Sequence, residues 1–66
     1  MNAAEARALA EAVRAACLKA AREGYESAAI SGLCHEGAVE ASLGAIRALK
    51  LDQVLTEPVV PAEKKT

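Results

Sequence analysis

The chain has 66 residues and a formal net charge of −1, which allows one small domain and gives no overall field that would attract nucleic acid or anionic lipid. Hydrophobic residues make up 53% of the chain, but seventeen of them are alanine and the only aromatic residue is Tyr25. Because alanine has little apolar area to bury, we expect a thin core, which small proteins commonly supplement with a disulfide, a metal ion or a partner.

The sequence favours neither export nor membrane insertion. The first twenty residues lack a basic start followed by an apolar run, and no segment approaches the roughly 20 apolar residues of a membrane span. We therefore predict a cytoplasmic protein without a membrane partner. In that reducing compartment, Cys17 and Cys34 are expected to be free thiols rather than a disulfide.

The first predicted helix covers residues 2–23, where helix-favouring residues dominate and no Pro or Gly occurs. Asn2 followed three positions later by Glu5 is typical of a capping box. Gly24 is the predicted stop. An apolar stripe at spacings of three and four follows one face of this helix: Ala6, Leu9, Val13, Ala16 and Ala20, with Cys17 beside it.

A second, short helix is predicted over residues 25–31, ended by Gly32. A continuous, kinked helix through Gly24 is the alternative, because one glycine inside a helix costs only about 1 kcal/mol relative to alanine. The break is favoured because the two glycines lie close together in the sequence.

The third predicted helix covers residues 35–50 and carries an apolar stripe of Val39, Leu43, Ile46 and Leu49. Its acidic residues fall in the first turns and its basic residues in the last, as the helix dipole favours. Residues 1–51 are thus predicted to form the helical domain. Residues 52–66, with prolines at 58 and 61, are predicted to be a flexible tail.

No strand-like alternation occurs, so the predicted fold class is all-α. We expect a small helical hairpin or three-helix unit that completes its core as a dimeric bundle.

The stretch "ISGLCHEGA" places His35, the only histidine, beside Cys34 and between two glycines. A thiol at a helix start with an adjacent imidazole is one pattern of a reactive cysteine. However, consecutive helical side chains diverge by about 100°, and no oxyanion donor can be identified. Structural zinc sites use paired spacings such as C-x2-C, which this chain lacks. We interpret the stretch as a turn, with Cys17, Cys34 and His35 as the metal or thiol candidates.

The chain resembles a group of small, uncharacterised bacterial helical proteins over residues 14–51. The shared features are Cys17, Gly24-Tyr25-Glu26, Ser31-Gly32-Leu33-Cys34, Glu36-Gly37 and the alanine-rich segment from Ala38 to Leu49. Some of these proteins are labelled acetyltransferases, but the resemblance implies a family without an established function. Because Cys34 and Glu36 belong to the shared turn, the resemblance also makes these two residues of functional interest. An acetyltransferase domain requires a strand scaffold and a pyrophosphate-binding loop, and the sequence predicts neither; we therefore predict a protein that is not an enzyme.

The sequence favours a non-enzymatic helical interaction protein, either a homodimer or an accessory subunit of a larger complex, without a cofactor. The alternative is a small thiol or metal-binding protein that uses Cys34, His35 and Cys17. Nucleic-acid binding is disfavoured because the basic residues are interspersed with acidic ones. The predicted interface consists of Leu9, Val13, Cys17, Val39, Leu43 and Ile46.

Overall fold

Three α-helices account for most of residues 1–56, the part of the chain that the structure, a computed structural model, describes. They are α1 (Ala3–Ile30), α2 (His35–Arg47) and α3 (Leu51–Thr56). Helix α2 folds back along the second half of α1 to form an antiparallel hairpin, and α3 also contacts α1. The described residues contain no strand, so the predicted all-α fold class is confirmed.

The capping box predicted at the start of α1 is confirmed. The Oδ1 atom of Asn2 accepts a hydrogen bond from the backbone N–H of Glu5 at 2.7 Å, and the backbone N–H of Asn2 donates to Oε1 of Glu5 at 3.0 Å. These two bonds satisfy amide donors that have no partner within the first turn of a helix.

Helix α1 continues without interruption through Gly24, so the predicted break there, and with it a separate helix over residues 25–31, is wrong. The glycine is present because α2 approaches α1 at this point. A Cβ atom on Gly24 would lie 2.9 Å from Cβ of Ala45 and 3.0 Å from the carbonyl oxygen of Ala41. Only a residue without a side chain allows the two helices to come this close.

Helix α1 ends at Ile30, and the chain leaves it at Gly32, the glycine predicted to stop the helix. Gly32 has a positive φ of 96°, a backbone conformation that glycine adopts without steric cost. Its N–H donates to the carbonyl of Ala29 and the N–H of Leu33 donates to the carbonyl of Ala28, both at 3.0 Å. These two bonds form a Schellman motif, which reverses the chain and directs it into α2.

The C-terminal boundaries differ from the prediction. Helix α2 begins at His35 as expected but ends at Arg47 rather than at residue 50, and residues 51–56 form α3 instead of belonging to a flexible tail. Neither Pro nor Gly interrupts this segment, Asp52 lies in its first turn, and contacts with α1 support it. The remainder of the predicted tail, residues 57–66, lies outside the described residues.

Small residues form the centre of the hairpin. Among the described residues only Ala28 and Ala38 are buried, with 8% and 1% of their surface exposed. The larger apolar side chains lie at the edges or on the outside, so the hairpin itself buries little apolar area. Eight of them are exposed: Met1, Leu18, Ile30, Leu33, Val39, Leu43, Leu51 and Leu55.

The close contact at Gly24 predicts opposite effects of two glycine-to-alanine substitutions. Gly24→Ala should lower the free energy of unfolding by about 1 kcal/mol, because overpacking against Ala41 and Ala45 outweighs the gain in helix propensity. Gly44→Ala should raise it by about 0.5–1 kcal/mol, since a Cβ atom there meets nothing within 4 Å.

Thermal unfolding followed by circular dichroism measures both variants, with Gly44→Ala as the matched control. An unchanged or higher melting temperature for Gly24→Ala would contradict the close approach of the two helices.

Candidate functional site

The segment that joins α1 to α2 carries two of the three predicted thiol or metal candidates. Cys34 is the N-cap residue of α2, with an extended backbone (φ −71°, ψ 173°) and an exposed side chain that makes no capping hydrogen bond. His35 is the first residue of α2 and is also exposed. The structure therefore supports the interpretation of this stretch as a helix-to-helix turn.

Tyr25 and His35 are hydrogen-bonded across the hairpin, a contact that the sequence did not predict. The Tyr25 hydroxyl oxygen lies 2.9 Å from Nδ1 of His35, and the ring centroids are 5.8 Å apart in an edge-on arrangement. In the neutral imidazole that carries its proton on Nε2, the hydroxyl donates to Nδ1. This bond links the last part of α1 to the start of α2, so His35 already has a structural role.

Cys17 is not part of this site. It lies eleven residues before Ala28 on α1, a helical rise of about 16 Å, whereas the link bearing Cys34 is hydrogen-bonded to the last turn of α1. A disulfide requires Cα atoms within about 7 Å, and both cysteines are free thiols. Nor does any group of three or more metal-ligating side chains occur within residues 1–56.

The surface beside His35 is an open hollow of about 500 Å³ along α2, lined by His35, Glu36, Val39 and Glu40. All four residues belong to one helix, so no second wall faces them. The hollow combines two carboxylates with an imidazole that already bonds to Tyr25. Small-molecule sites usually enclose most of their ligand, and this surface is open to solvent.

The predicted interface residues of α2 lie on its outer side. Ala38, Ala41 and Ala45 face or approach α1, whereas Val39 and Leu43 are 37% and 43% exposed. Leu43 follows Ala38 by five residues, which places it about 140° around the helix from that buried alanine. Together with the half-buried Ile46, these residues form an apolar surface on α2 that we call the outer stripe: Val39, Leu43 and Ile46.

The predicted interface residues of α1 lie elsewhere. Leu9, Val13 and Cys17 are half-buried, and Val13 and Leu9 lie about 120° and 160° around α1 from Tyr25. Tyr25 contacts His35, which precedes Val39 by one turn of α2. Tyr25 therefore lies on the side of the hairpin where the outer stripe begins. Val13 and Leu9 lie on a different side of α1 from Tyr25, and their place in the interface stays a prediction.

Leu18 is an exposed residue that the sequence analysis did not include in the interface. It is 60% exposed and lies seven residues before Tyr25, about 20° away around α1. It therefore shares the side of α1 that contacts His35. The spacing of seven between Leu18 and Tyr25 was the signal available in the sequence.

No family model, curated protein or solved structure matches this chain. The resemblance to small bacterial helical proteins therefore stays a prediction. Within residues 1–56, no helix is long and apolar enough to cross a bilayer.

The different surroundings of the two thiols predict different alkylation rates. In the native protein, iodoacetamide should modify Cys34 before Cys17, because Cys34 is exposed whereas Cys17 is half-buried on α1. Mass spectrometry of quenched, digested samples measures both rates. In guanidinium chloride the two rates should converge, and faster modification of Cys17 in the native protein would contradict the structure.

Proposed function

We propose that this chain is a non-enzymatic helical interaction protein that acts as a homodimer or as an accessory subunit of a larger complex. The observation that carries the proposal is the outer stripe of α2. The hairpin fills its own interior with alanine and glycine and leaves larger apolar side chains on the outside.

The distribution of apolar area supports an interaction role. Burying a Leu or Val side chain contributes about 1.5–3 kcal/mol, whereas the buried side chains of Ala28 and Ala38 are single methyl groups. Covering Leu43 and Val39 with a partner would therefore add apolar burial that the single hairpin lacks. The setting that we propose is the bacterial cytoplasm, with both thiols reduced.

A second candidate function is thiol or metal chemistry, and the exposure of Cys34 beside His35 favours it. The remote position of Cys17 reduces this candidate to two side chains, of which His35 is already bonded to Tyr25. Stoichiometric zinc in protein purified without added metal would support the thiol or metal candidate, and purified protein without metal would count against it.

Leu43→Lys should abolish self-association, because it places a charge in the middle of the outer stripe. The hairpin itself should stay folded, because Leu43 is exposed and lysine favours helix. Ile30→Lys is the matched control, since Ile30 is 86% exposed and lies about 140° around α1 from Tyr25. Ile30→Lys also replaces an exposed apolar side chain with lysine, but on a part of α1 away from the proposed interface.

Sedimentation equilibrium over a range of chain concentrations measures association of the wild type and both variants. We expect dimers for the wild type and Ile30→Lys, and monomers for Leu43→Lys. A wild-type protein that is folded and monomeric at every concentration would contradict the homodimer. Equal association of all three proteins would contradict the role of the outer stripe.

A further inference from the structure

We infer that a second copy of this chain binds along α2, with the two α2 helices antiparallel and a two-fold axis at Leu43. The inference rests on the proposed interaction function and specifies its partner and geometry.

The apolar pattern of α2 is symmetric about Leu43. Val39 lies four residues before it and Ile46 three residues after it. In an antiparallel pair centred on Leu43, each residue before the centre faces one at a similar distance after the centre in the other copy. Val39 of one chain therefore meets Ile46 of the second copy, while the two Leu43 side chains meet at the axis. A two-fold interface requires this kind of self-complementary surface.

The charges of α2 have the same symmetry. Glu40 lies three residues before Leu43 and Arg47 four residues after it, and both fall within about 60° of Leu43 around the helix. The antiparallel arrangement places each Glu40 opposite Arg47 of the second copy. A parallel two-fold arrangement would instead place Glu40 of each chain beside Val39 of the second copy, because these residues flank Leu43 on opposite sides, and a charge buried against an apolar side chain is unfavourable.

These charges have no such partner within the hairpin. Glu40 and Arg47 are separated by seven residues, a rise of about 10 Å, and the only ion pair among the described residues is that of Arg14 with Glu11, at 3.6 Å. The helix dipole also favours acids early and bases late in α2. The dipole acts along the helix axis, so it would favour these charges on any side of α2. It therefore does not explain why Glu40 and Arg47 both lie beside the outer stripe.

Helix α1 leaves this face open. The side of α2 that packs on α1 is centred on Ala38, Ala41 and Ala45, and Leu43 lies about 140° around from Ala38. Two hairpins can therefore join through their α2 helices to form a four-helix arrangement with both α1 helices on the outside.

Charge reversal tests this geometry. Glu40→Arg places two arginines together at each end of the contact, and Arg47→Glu places two glutamates together. We expect each single variant to self-associate at least about tenfold more weakly than the wild type at low salt. An equimolar mixture of the two variants should form a heterodimer of near wild-type affinity, since every facing pair is again of opposite charge.

Native mass spectrometry distinguishes the heterodimer from either homodimer by mass, and sedimentation equilibrium measures the affinities. Glu23→Arg makes the same charge change as Glu40→Arg on an exposed position of α1 and should dimerise like the wild type. Mixing cannot rescue variants that have only lost stability, so a preferred heterodimer reports the proposed contact.

Wild-type affinity in both single variants, or a mixture without heterodimer preference, would overturn the antiparallel geometry. If Leu43→Lys still dissociates the protein in that case, the proposed interaction function stands without the antiparallel geometry. A monomeric wild type would overturn the homodimer and the geometry together.

Discussion

The close approach of α1 and α2 at Gly24 is the constraint on which the rest of the structure depends. A Cβ atom at Gly24 would lie only 2.9 Å from that of Ala45, so the two helices can meet only through their smallest side chains. Ala28 and Ala38 become the buried centre of the hairpin, and the larger apolar residues of α2 are placed away from α1. The same contact that joins the helices therefore creates the outer stripe.

The link between the helices maintains this arrangement. Gly32, with its positive φ, ends α1 in a Schellman motif, and Leu33 lies against Gly37 in the first turns of α2, where an added Cβ would be 3.2 Å from Leu33 Cδ2. The Tyr25–His35 hydrogen bond sets the start of α2 against α1. Of the thiol or metal candidates, His35 thus has a structural role, and the proposed function rests on the outer stripe.

Local signals in the sequence predicted the start of α1 and its stop at Gly32 correctly. The Asn2–Glu5 capping box and the stop at Gly32 depend on neighbouring residues, so short-range patterns were sufficient to identify them. The sequence alone favours a stop at Gly24, because it does not distinguish a glycine that breaks a helix from one that lets another helix approach. The difference depends on Ala45, twenty-one residues away, and only the folded hairpin reveals it.

The position of the outer stripe was also hard to predict, because it too depends on contacts between residues far apart in the sequence. Helical periodicity identified Val39, Leu43 and Ile46 as one stripe, but alanines at neighbouring positions of α2 pack on α1 instead, because Gly24 admits only small partners there. Leu9 and Val13 were grouped with that stripe from their own periodicity. How two stripes on different helices are oriented relative to each other depends on tertiary packing, which periodicity alone does not determine.

We propose that association with a second copy completes the apolar burial that this hairpin lacks. Thermal unfolding followed by circular dichroism at chain concentrations a hundredfold apart tests it most directly, because a folded dimer gains stability with concentration whereas a monomer does not. We expect a melting temperature that rises by several degrees at the higher concentration. A cooperative transition with the same midpoint at both concentrations would contradict it.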